Sequence, residues 1–360
     1  HGVKLVLGYT VEGFKEKDSG VEVLLKDNPS LQADMVVLAI GVTPDTVLAK
    51  EAGLELGIKE SIVVNDRMET SVPDIYAAGD AVQVKHYVTG NDALISLAGP
   101  ANKQGRIIAD NICGGDSRYL GSQGSSVIKV FDMTAATTGI NETNAKKSGL
   151  EVDTVILSPM SHAGYYPGGK VMTMKVVFEK ESYRLLGAQI IGYEGVDKRI
   201  DVLATAIHAG LNATQLKDLD LAYAPPYSSA KDPVNMAGFM IDNIAKGTLK
   251  QWHLEDMDKI SKDKDAVLLD VRTVGEFSRG HIDGFKNIPV DELRERISEI
   301  EIGKPVYLIC QSGLRSYIAS RILEGNGYET YNFSGGFRFY DAVVNDRALI
   351  ERAYACGMDY

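Results

Sequence analysis

The segment "VYLICQSGLRSYIASRIL", Val306–Leu323, decides how the last third of the chain folds. Val306–Ile309 is a short apolar run typical of a buried strand, and Ser316–Leu323 carries apolar residues at helical spacing. The four residues Gln-Ser-Gly-Leu therefore have to turn sharply onto a helix N-terminus. Such a turn directs backbone N–H groups and the positive end of the helix dipole at one point. Cys310 lies at that point, so the segment predicts a strand–loop–helix unit with an anion-binding loop.

The position of Cys310 indicates a reactive thiol. The helix dipole and the guanidinium of Arg315, five residues later, both favour the thiolate form. The alternative is a packed cysteine at the end of a core strand, since free cysteine is often buried. A neighbouring Gly/Ser loop and an arginine are, however, untypical of a cysteine packed in a core. The candidate substrate-binding residues are those of the turn: Gln311, Ser312, Gly313 and Leu314.

Three motifs in order resemble the rhodanese sulfurtransferase domain: "LLDVRTVGEFSRGHIDGFKNIP", "CQSGLRS" and "NFSGGF". The resemblance implies a rhodanese domain over residues 251–360, with Cys310 as the persulfide-forming residue and Arg315 beside it. Related phosphatases place the arginine six residues after the cysteine. The interval here is five, so the smaller loop suits a sulfane sulfur and disfavours a phosphatase.

Four further residues of the rhodanese pattern are charged or titratable. We interpret them as side chains that hold loops in place, with catalysis a minor alternative for the histidine: Asp270, Arg272, Glu276 and His281.

Composition excludes several classes of protein. A chain of 360 residues is long enough for two or three domains, and 44 % hydrophobic with 24 % charged residues is ordinary for a globular protein. The net charge of −11 argues against a nucleic-acid partner, and no apolar run is long enough to span a membrane. The three cysteines, Cys113, Cys310 and Cys356, form no C-x-x-C pair. We therefore expect no metal site, no disulfide framework and a cytoplasmic location.

The stretch "TSVPDIYAAGDAV", Thr70–Val82, predicts a short buried strand at Ile75–Ala78 followed by a turn at Gly79. Asp80 would then point off the strand end, where its carboxylate can accept hydrogen bonds from sugar-type hydroxyls. A Gly-Asp turn alone is usually only a turn. The whole spacing, however, resembles the second FAD fingerprint of the pyridine nucleotide-disulphide oxidoreductases, which implies that Gly79 and Asp80 hold the ribityl chain of FAD.

The same resemblance assigns the segment Ser96–Gly115 as a helix whose N-terminus faces the flavin ring. There the helix dipole can stabilise negative charge on the reduced flavin. The expected contact residues are Leu97, Ala98 and Gly99. Cys113, at the other end of this helix, is expected to be structural.

The chain lacks the G-x-G-x-x-G loops that the family uses for FAD and for the nicotinamide nucleotide. Asp34–Thr46 still predicts a buried parallel strand, and the opening "HGVKLVLGYTVEGF" predicts a strand with its turn. We therefore expect the end of an NAD(P)-binding domain at residues 1–60 and the returning part of an FAD-binding domain at residues 61–120. On this interpretation the sequence is a fragment, with the loops and a redox cysteine upstream of His1.

Residues 121–247 alternate long apolar segments with two helical ones, which predicts antiparallel strands with helices on one face. This order resembles the dimerisation domain of the same oxidoreductases, where one subunit completes the active site of the other. A homodimer is therefore implied.

The segments "SHAGYYPGG" and "LAYAPPYSSAKDPVN" resemble the coenzyme A disulfide and persulfide reductase branch, in which tyrosines reach across the dimer. We match Tyr165 and Tyr223 to those tyrosines, with Tyr166 and Tyr227 as alternatives. A phenol can donate a hydrogen bond to a departing thiolate. The alternative is that these tyrosines only cap loops. Another set of candidate substrate-binding residues, for the phosphates of coenzyme A, is Lys198 and Arg199, although a solvated helix face explains them better.

The predicted fold class is a multidomain α/β and α+β protein. The predicted function is an FAD-dependent, NAD(P)H-linked reductase of coenzyme A disulfide, persulfide or polysulfide, joined to a rhodanese domain that carries sulfane sulfur. The alternative is a scaffold protein whose rhodanese domain only docks a partner; the intact Cys310 and Arg315 weigh against it.

Overall fold

The computed structural model describes the backbone of residues 3–355 and the side chains of residues 3–345, so His1 and Cys356 lie outside the described residues. The chain forms two compact units, one of residues 1–43 with 341–360 and the other of residues 44–340. None of the helices in the described part of the chain is long and apolar enough to cross a membrane.

The first unit contains an antiparallel sheet of three strands in the order β1–β2–β3. The strands are β1 (Val11–Lys17), β2 (Gly20–Leu25) and β3 (Asn28–Ala33). Gly20 has a φ of 118°, and a Cβ there would lie 2.5 Å from the carbonyl oxygen of Ala33. The tight turn between β1 and β2 therefore requires glycine.

Two predictions for this unit are wrong. Asp34–Thr46 forms no strand, and its side chains Met35, Val37 and Ile40 are 76 %, 76 % and 89 % exposed. Residues 3–10 likewise form no strand. A buried parallel strand needs neighbours on both edges and helices on both faces, and the described residues provide neither for these segments.

The second unit begins with small elements: α1 (Val47–Glu51), β4 (Ile62–Val63), β5 (Val82–Lys85), β6 (Asp92–Ala93) and α2 (Ala98–Ile112). Strand β5 pairs in parallel with β4 and antiparallel with β6. The predicted helix is confirmed as α2. The strand predicted at Ile75–Ala78 is wrong: one bridge joins Tyr76 to Glu69, and no strand among the described residues pairs with this segment to extend it.

The middle of the chain is an α+β domain around a five-stranded antiparallel sheet in the order β7–β8–β11–β10–β9. Its elements are β7 (Ser126–Val130), β8 (Met133–Gly139), α3 (Glu142–Lys147), β9 (Val152–Leu157), β10 (Met172–Glu179), β11 (Leu185–Gly192), α4 (Val196–His208) and α5 (Pro233–Ala245).

Alternating apolar residues build the core of this domain, as the sequence predicted. In β10 the side chains of Met172, Met174 and Val176 are buried, and Phe178 is 1 % exposed. Helix α4 packs on β8 and β11. Helix α5 starts where the Asp232 carboxylate accepts the N–H of Val234, with a proline at its first position.

The last part is a parallel sheet in the order β12–β16–β15–β13–β14, with helices between the strands. Its elements are β12 (Gln251–Trp252), α6 (Met257–Ile260), β13 (Val267–Asp270), α7 (Val274–Arg279), β14 (Lys286–Asn287), β15 (Val306–Ile309), α8 (Leu314–Glu324), β16 (Thr330–Phe333) and α9 (Gly336–Ala355). The predicted α/β and α+β fold class is confirmed, and β15 and α8 lie where the segment Val306–Leu323 placed them.

The α+β domain and the parallel sheet are joined by specific contacts. The backbone N–H of Ile156 in β9 donates to Ser334 Oγ at 3.0 Å. The Gln251 side chain donates to the carbonyl oxygen of Thr154 at 2.8 Å, and His253 Nε2 lies 3.0 Å from a carboxylate oxygen of Asp153. The two parts therefore meet through hydrogen bonds made by β12, by the residue after β12 and by the residue after β16.

Candidate functional site

Cys310 lies at the end of β15, under the turn that leads into α8. Its Sγ accepts the backbone N–H of Gly313 at 3.1 Å. Ser316 Oγ lies 3.2 Å from the same Sγ and 3.1 Å from the carbonyl oxygen of Gly313, so its one proton can be donated to either. Gly313 caps α8 with a φ of 100°, a conformation that favours glycine. The turn thus directs donors at sulfur, as expected, and Ser316 is a contact that sequence reasoning missed.

The turn is supported from beneath by the start of α9. The N–H groups of Phe337 and Arg338 donate to the carbonyl oxygens of Cys310 and Gln311 at 2.8 and 3.2 Å. A Cβ at Gly336 would lie 2.7 Å from the backbone nitrogen of Ser312, so only glycine allows this approach. Because its carbonyls are bound from below, the turn keeps its N–H groups on the sulfur side.

The side chain of Cys310 is buried. The residue is 1 % exposed, and it belongs to a hydrophobic cluster with Leu308 and Ala319. Gln311 and Ser312 are half-buried, whereas Leu314 is 66 % exposed. The thiol of Cys310 is therefore almost fully shielded from solvent.

Arg315 makes a two-pronged ion pair with Glu276. Both terminal nitrogens lie 2.7 Å from a carboxylate oxygen. The Arg315 guanidinium beside Glu276 lowers the pKa of that carboxyl from 4.5 to about 2. Glu276 also closes a capping box at the start of α7 with Thr273. The pair ties α7 to the cysteine turn, and the charge of Arg315 is largely neutralised within the chain.

The other residues of the rhodanese pattern act on loops, in line with the interpretation made from sequence. Arg272 is 1 % exposed, and its guanidinium donates to Asp270 at 2.7 Å and to the carbonyl oxygen of Gly280 at 2.8 Å. His281 Nδ1 lies 3.1 Å from the carbonyl oxygen of Phe277, and its ring stacks on that residue.

Tyr165 and Tyr223 are brought together although 58 residues separate them. Their hydroxyl oxygens lie 2.7 Å apart. The hydrogen bond to Tyr165 raises the pKa of Tyr223 above its usual value of 10.0, so the neutral phenol is the form present at neutral pH. Both side chains are exposed, by 77 % and 45 %. Of the alternatives, Tyr166 packs edge-on against His162, and Tyr227 is exposed.

The two basic candidates on α4 differ. Lys198 is partly exposed, with Nζ 3.9 Å from Asp232, so its ammonium remains accessible to an anion. Arg199 is 1 % exposed, and its guanidinium is bound within the chain to Asp232, Ser161, Tyr227 and Ser228. The prediction that Arg199 meets the phosphates of coenzyme A is therefore wrong, because its donors are buried and already bound; nor does Arg199 lie on a solvated helix face.

The residues assigned to FAD fit part of that cofactor. Gly79 has a φ of 88°, and its N–H donates to the buried Gln104 side chain at 2.7 Å, which fixes the turn against α2. Asp80 is exposed beside it. At the start of α2, Leu97 provides no side-chain cap, and Ala98 and Gly99 are exposed. A flavin ring would find free backbone donors there.

Cys113 lies at the other end of α2, where it forms the C-cap. A helix of 15 residues is about 22 Å long. Cys113 is therefore far from the end of α2 that is assigned to the flavin.

Models of known families match three parts of the chain. The family model "Pyridine nucleotide-disulphide oxidoreductase" matches residues 1–105, and the dimerisation domain of that family matches residues 125–233. The chain belongs to the pyridine nucleotide-disulphide oxidoreductase family. A rhodanese-like domain matches residues 253–342.

Among solved structures, this chain is similar to reduced Bacillus anthracis CoADR-RHD, with 47 % identity and a TM-score of 0.90 over 94 % of this chain and 60 % of that one. It is also similar to an NAD-dependent persulfide reductase from A. fulgidus, with 40 % identity and a TM-score of 0.83 over 92 % of this chain and 61 % of that one. A curated relative is the NAD(P)H sulfur oxidoreductase (CoA-dependent) of Pyrococcus furiosus, 38 % identical over 59 % of this chain and 48 % of its own. The chain thus spans about half the length of the curated relatives it matches.

The Glu276–Arg315 pair predicts a pH-dependent stability. Because the pKa of Glu276 is lowered on folding, the pair stabilises the folded state above pH 4.5, and this contribution is lost as the pH falls towards 2. The side chains are 22–30 % exposed, so after solvent screening we expect Glu276→Gln to cost on the order of 1–2 kcal/mol at neutral pH. Thermal unfolding from pH 7 to 2 measures this difference.

The matched control is Glu295→Gln, at an exposed carboxylate of the same domain. We expect its stability to follow that of the unchanged protein at every pH. A Glu276→Gln variant whose deficit stays constant down to pH 2 would show that the ion pair does not cause the shift.

The 360-residue chain, expressed alone, is expected to purify without FAD. Residues for the ribityl chain and the ring are present, but no G-x-G-x-x-G loop is there to bind the pyrophosphate. Absorbance near 450 nm of the purified chain, before and after incubation with FAD, measures this. A chain that retains stoichiometric flavin through gel filtration would place the phosphate site among residues we have assigned elsewhere.

Proposed function

We propose that this chain forms part of an FAD-dependent, NAD(P)H-linked reductase of coenzyme A disulfide, coenzyme A persulfide or polysulfide. Its rhodanese domain carries sulfane sulfur on Cys310. The names of the related proteins given above support the reaction class. The proposal includes the domain limits 1–60, 61–120, 121–247 and 251–360, with Lys198 as a contact for a phosphate of coenzyme A.

The observation that carries this proposal is the hydrogen-bonded pair of Tyr165 and Tyr223. Two phenols 2.7 Å apart hold two protons. One proton lies between the two oxygens, and the other is free for an incoming group. When a thiolate departs from a broken sulfur–sulfur bond, the outer hydroxyl can donate a hydrogen bond to it, while the second phenol donates a hydrogen bond to the oxygen of the first. Neither step places a charged side chain near the reacting sulfur.

The overall reaction balances with these groups. Coenzyme A disulfide, one NAD(P)H and one proton give two coenzyme A thiols and NAD(P)+; a persulfide gives one thiol and hydrogen sulfide. FAD, when bound, would transfer the two electrons from the nicotinamide towards the sulfur–sulfur bond. The tyrosines of this chain bind the sulfur leaving group, and Gly79, Asp80, Leu97, Ala98 and Gly99 would hold the ribityl chain and the ring.

At the second site Cys310 would take up one sulfur atom. Its thiolate attacks the outer sulfur of a donor R–S–S−, a new sulfur–sulfur bond forms on Cys310, and the donor leaves as the thiolate R–S−. The N–H of Gly313, the hydroxyl of Ser316 and the start of α8 all lie on the side where negative charge has to be held. Arg315 keeps the turn in place through its ion pair with Glu276.

We also propose a homodimer that acts in the cytoplasm. The tyrosine pair is exposed within one subunit, and apolar side chains of β7 are exposed too, among them Val127 and Ile128 at 56 % and 60 %. Both observations favour burial against a second subunit. The reducing cytosol would keep the free thiols of Cys113 and Cys310 from forming disulfides.

Cys310→Ser is expected to abolish sulfurtransferase activity, because the persulfide needs sulfur at that atom. Thiocyanate formed from cyanide with thiosulfate or a persulfide donor is the measurement. Cys113→Ser, at the exposed cysteine of α2, is the control and should keep full activity. Thiocyanate formation by the Cys310→Ser variant would show that the sulfur-carrying residue lies elsewhere in the chain.

The reductase test uses a polypeptide in which this chain follows glycine loops of the kind that the family uses for FAD and for the nicotinamide nucleotide. Tyr165→Phe and Tyr223→Phe are each expected to slow NADH oxidation with coenzyme A persulfide or disulfide by about 10- to 100-fold. The double variant should be no slower than the single ones, because the hydroxyls act as one donor. Tyr193→Phe, at an exposed tyrosine of the same domain, is the control. Full activity of both single variants would remove the tyrosines from the mechanism.

The dimer is expected to bury about 2,000 Å² or more. Light scattering at micromolar concentration should therefore report about twice the 39.0 kDa of one chain. A monomer at that concentration would contradict an active site shared between subunits and with it the role of the tyrosine pair.

A further inference from the structure

Arg199 lies behind the tyrosine pair, at the start of α4. Its guanidinium faces the Asp232 carboxylate, with Nη2 2.9 Å and Nε 3.2 Å from one oxygen. Both side chains are almost fully buried, at 1 % and 3 % exposed. A buried guanidinium keeps its partners, because a lost contact would leave a desolvated donor without an acceptor.

The same guanidinium binds both loops that carry the tyrosines. Nη2 also donates to the carbonyl oxygen of Ser161 at 2.9 Å, and Ser161 stands four residues before Tyr165. It lies 3.3 Å from the carbonyl oxygen of Tyr227, which stands four residues after Tyr223. One guanidinium nitrogen, with two protons, thus lies within hydrogen-bond distance of both chain segments whose hydroxyls meet 2.7 Å apart.

Neighbouring contacts close this arrangement. Ser228 Oγ accepts from Arg199 at 3.1 Å and lies 2.7 Å from Asp232. The N–H of Ala163 donates to the carbonyl oxygen of Ser228 at 3.0 Å, directly between the loops. Gly195 has a φ of 69°, and a Cβ there would lie 2.1 Å from Arg199 Nη1. The loops and the helix start therefore converge on the guanidinium.

A cavity of about 530 Å³ opens beside this cluster. Its lining includes Lys198, Arg199, Tyr223 and Tyr227. Arg199 and Tyr223 thus line the same cavity.

We propose that Arg199 is a positioning residue for the tyrosine pair: its guanidinium sets the distance between the loops of Tyr165 and Tyr223, and so keeps their hydroxyls in hydrogen-bond contact. Arg199 touches neither substrate nor cofactor. The effect on reduction rests on the proposed function, but the effect on the tyrosine contact does not.

Lysine cannot replace this group. A guanidinium presents its N–H donors in a rigid planar fork, whereas an ammonium is a point charge on a flexible stem. Lysine at this position could pair with Asp232, but it could not at the same time bind Ser161 and Tyr227 in one plane. Arg199→Lys therefore keeps the buried charge and removes the bridge between the loops.

The experiment observes the tyrosine contact directly. The chain is labelled with ¹³C at the ζ carbon of tyrosine, and the two resonances are assigned with Tyr165→Phe and Tyr223→Phe. In the unchanged protein, removal of one hydroxyl should shift the resonance of the other tyrosine, because the two share a hydrogen bond. In Arg199→Lys this mutual effect should be lost, while thiocyanate formation at Cys310 stays unchanged. Persistence of the mutual effect in the folded variant would overturn the proposal.

Ser228→Ala is a milder probe that leaves Arg199 and Asp232 in place. It should weaken the mutual effect, and it decides the question if Arg199→Lys does not fold: an unchanged effect then overturns the proposal. Arg184→Lys is the matched control, because Arg184 lies on the same domain, with its side chain 46 % exposed. It should leave both resonances as they are.

The reductase assay separates this proposal from the proposed function. In the polypeptide with the glycine loops, Arg199→Lys should lower kcat about as much as Tyr165→Phe and leave the KM for NADH unchanged. Loss of the mutual effect with an unchanged kcat would support the positioning role and overturn the assignment of the tyrosines as proton donors. Loss of the mutual effect together with a lowered kcat would support both the positioning role of Arg199 and the proposed role of the tyrosines.

Discussion

A charge taken out of water has to be paired, and this requirement organises both candidate sites. Arg272 and Asp270 are 1 % and 0 % exposed. The guanidinium of Arg272 lies 3.8 Å from the centre of the Phe337 ring. The backbone N–H of Phe337 in turn donates to the carbonyl oxygen of Cys310. Arg199 and Asp232 form the corresponding pair behind the tyrosines. Removing one partner of such a pair typically costs about 3–5 kcal/mol. Each site is thus built on a buried ion pair that touches no substrate.

The elements that could be predicted from sequence are those with a local signal. Val306–Ile309 and the helix after it have both a periodicity and a turn, and the structure places them as expected. The strands and helices of the middle domain follow for the same reason, since alternating burial in β10 decides its faces. Asp34–Thr46 shows the limit of this reasoning. Its apolar run is that of a buried strand, but a strand forms only if neighbours pair with it, and no local pattern reports them.

The candidate sites show the same limit. Cys310 and the tyrosines Tyr165 and Tyr223 could be selected because each stands in a recognisable motif. The ion pairs that hold them could not be predicted: Arg315 pairs with Glu276 across 39 positions, and Arg199 pairs with Asp232 across 33. An arginine on a helix has the same sequence pattern whether it faces water or the core. Only the fold shows that Arg199 faces inward.

The joint between the two domains has a consequence for how such a protein could evolve. The hydroxyl of Ser334 binds β9, and two residues later Gly336 supports the cysteine turn. On the other side of the joint, Gln251 contacts the carbonyl oxygen of Thr154. The rhodanese domain is therefore fixed to the α+β domain by specific hydrogen bonds and is not joined to it by a flexible linker alone. Recombination could not replace it with an arbitrary domain. A replacement domain that kept the cysteine turn but lacked these contacts would leave polar groups of β9 without hydrogen-bond partners. The contacts therefore restrict which related domains could have taken this position during evolution.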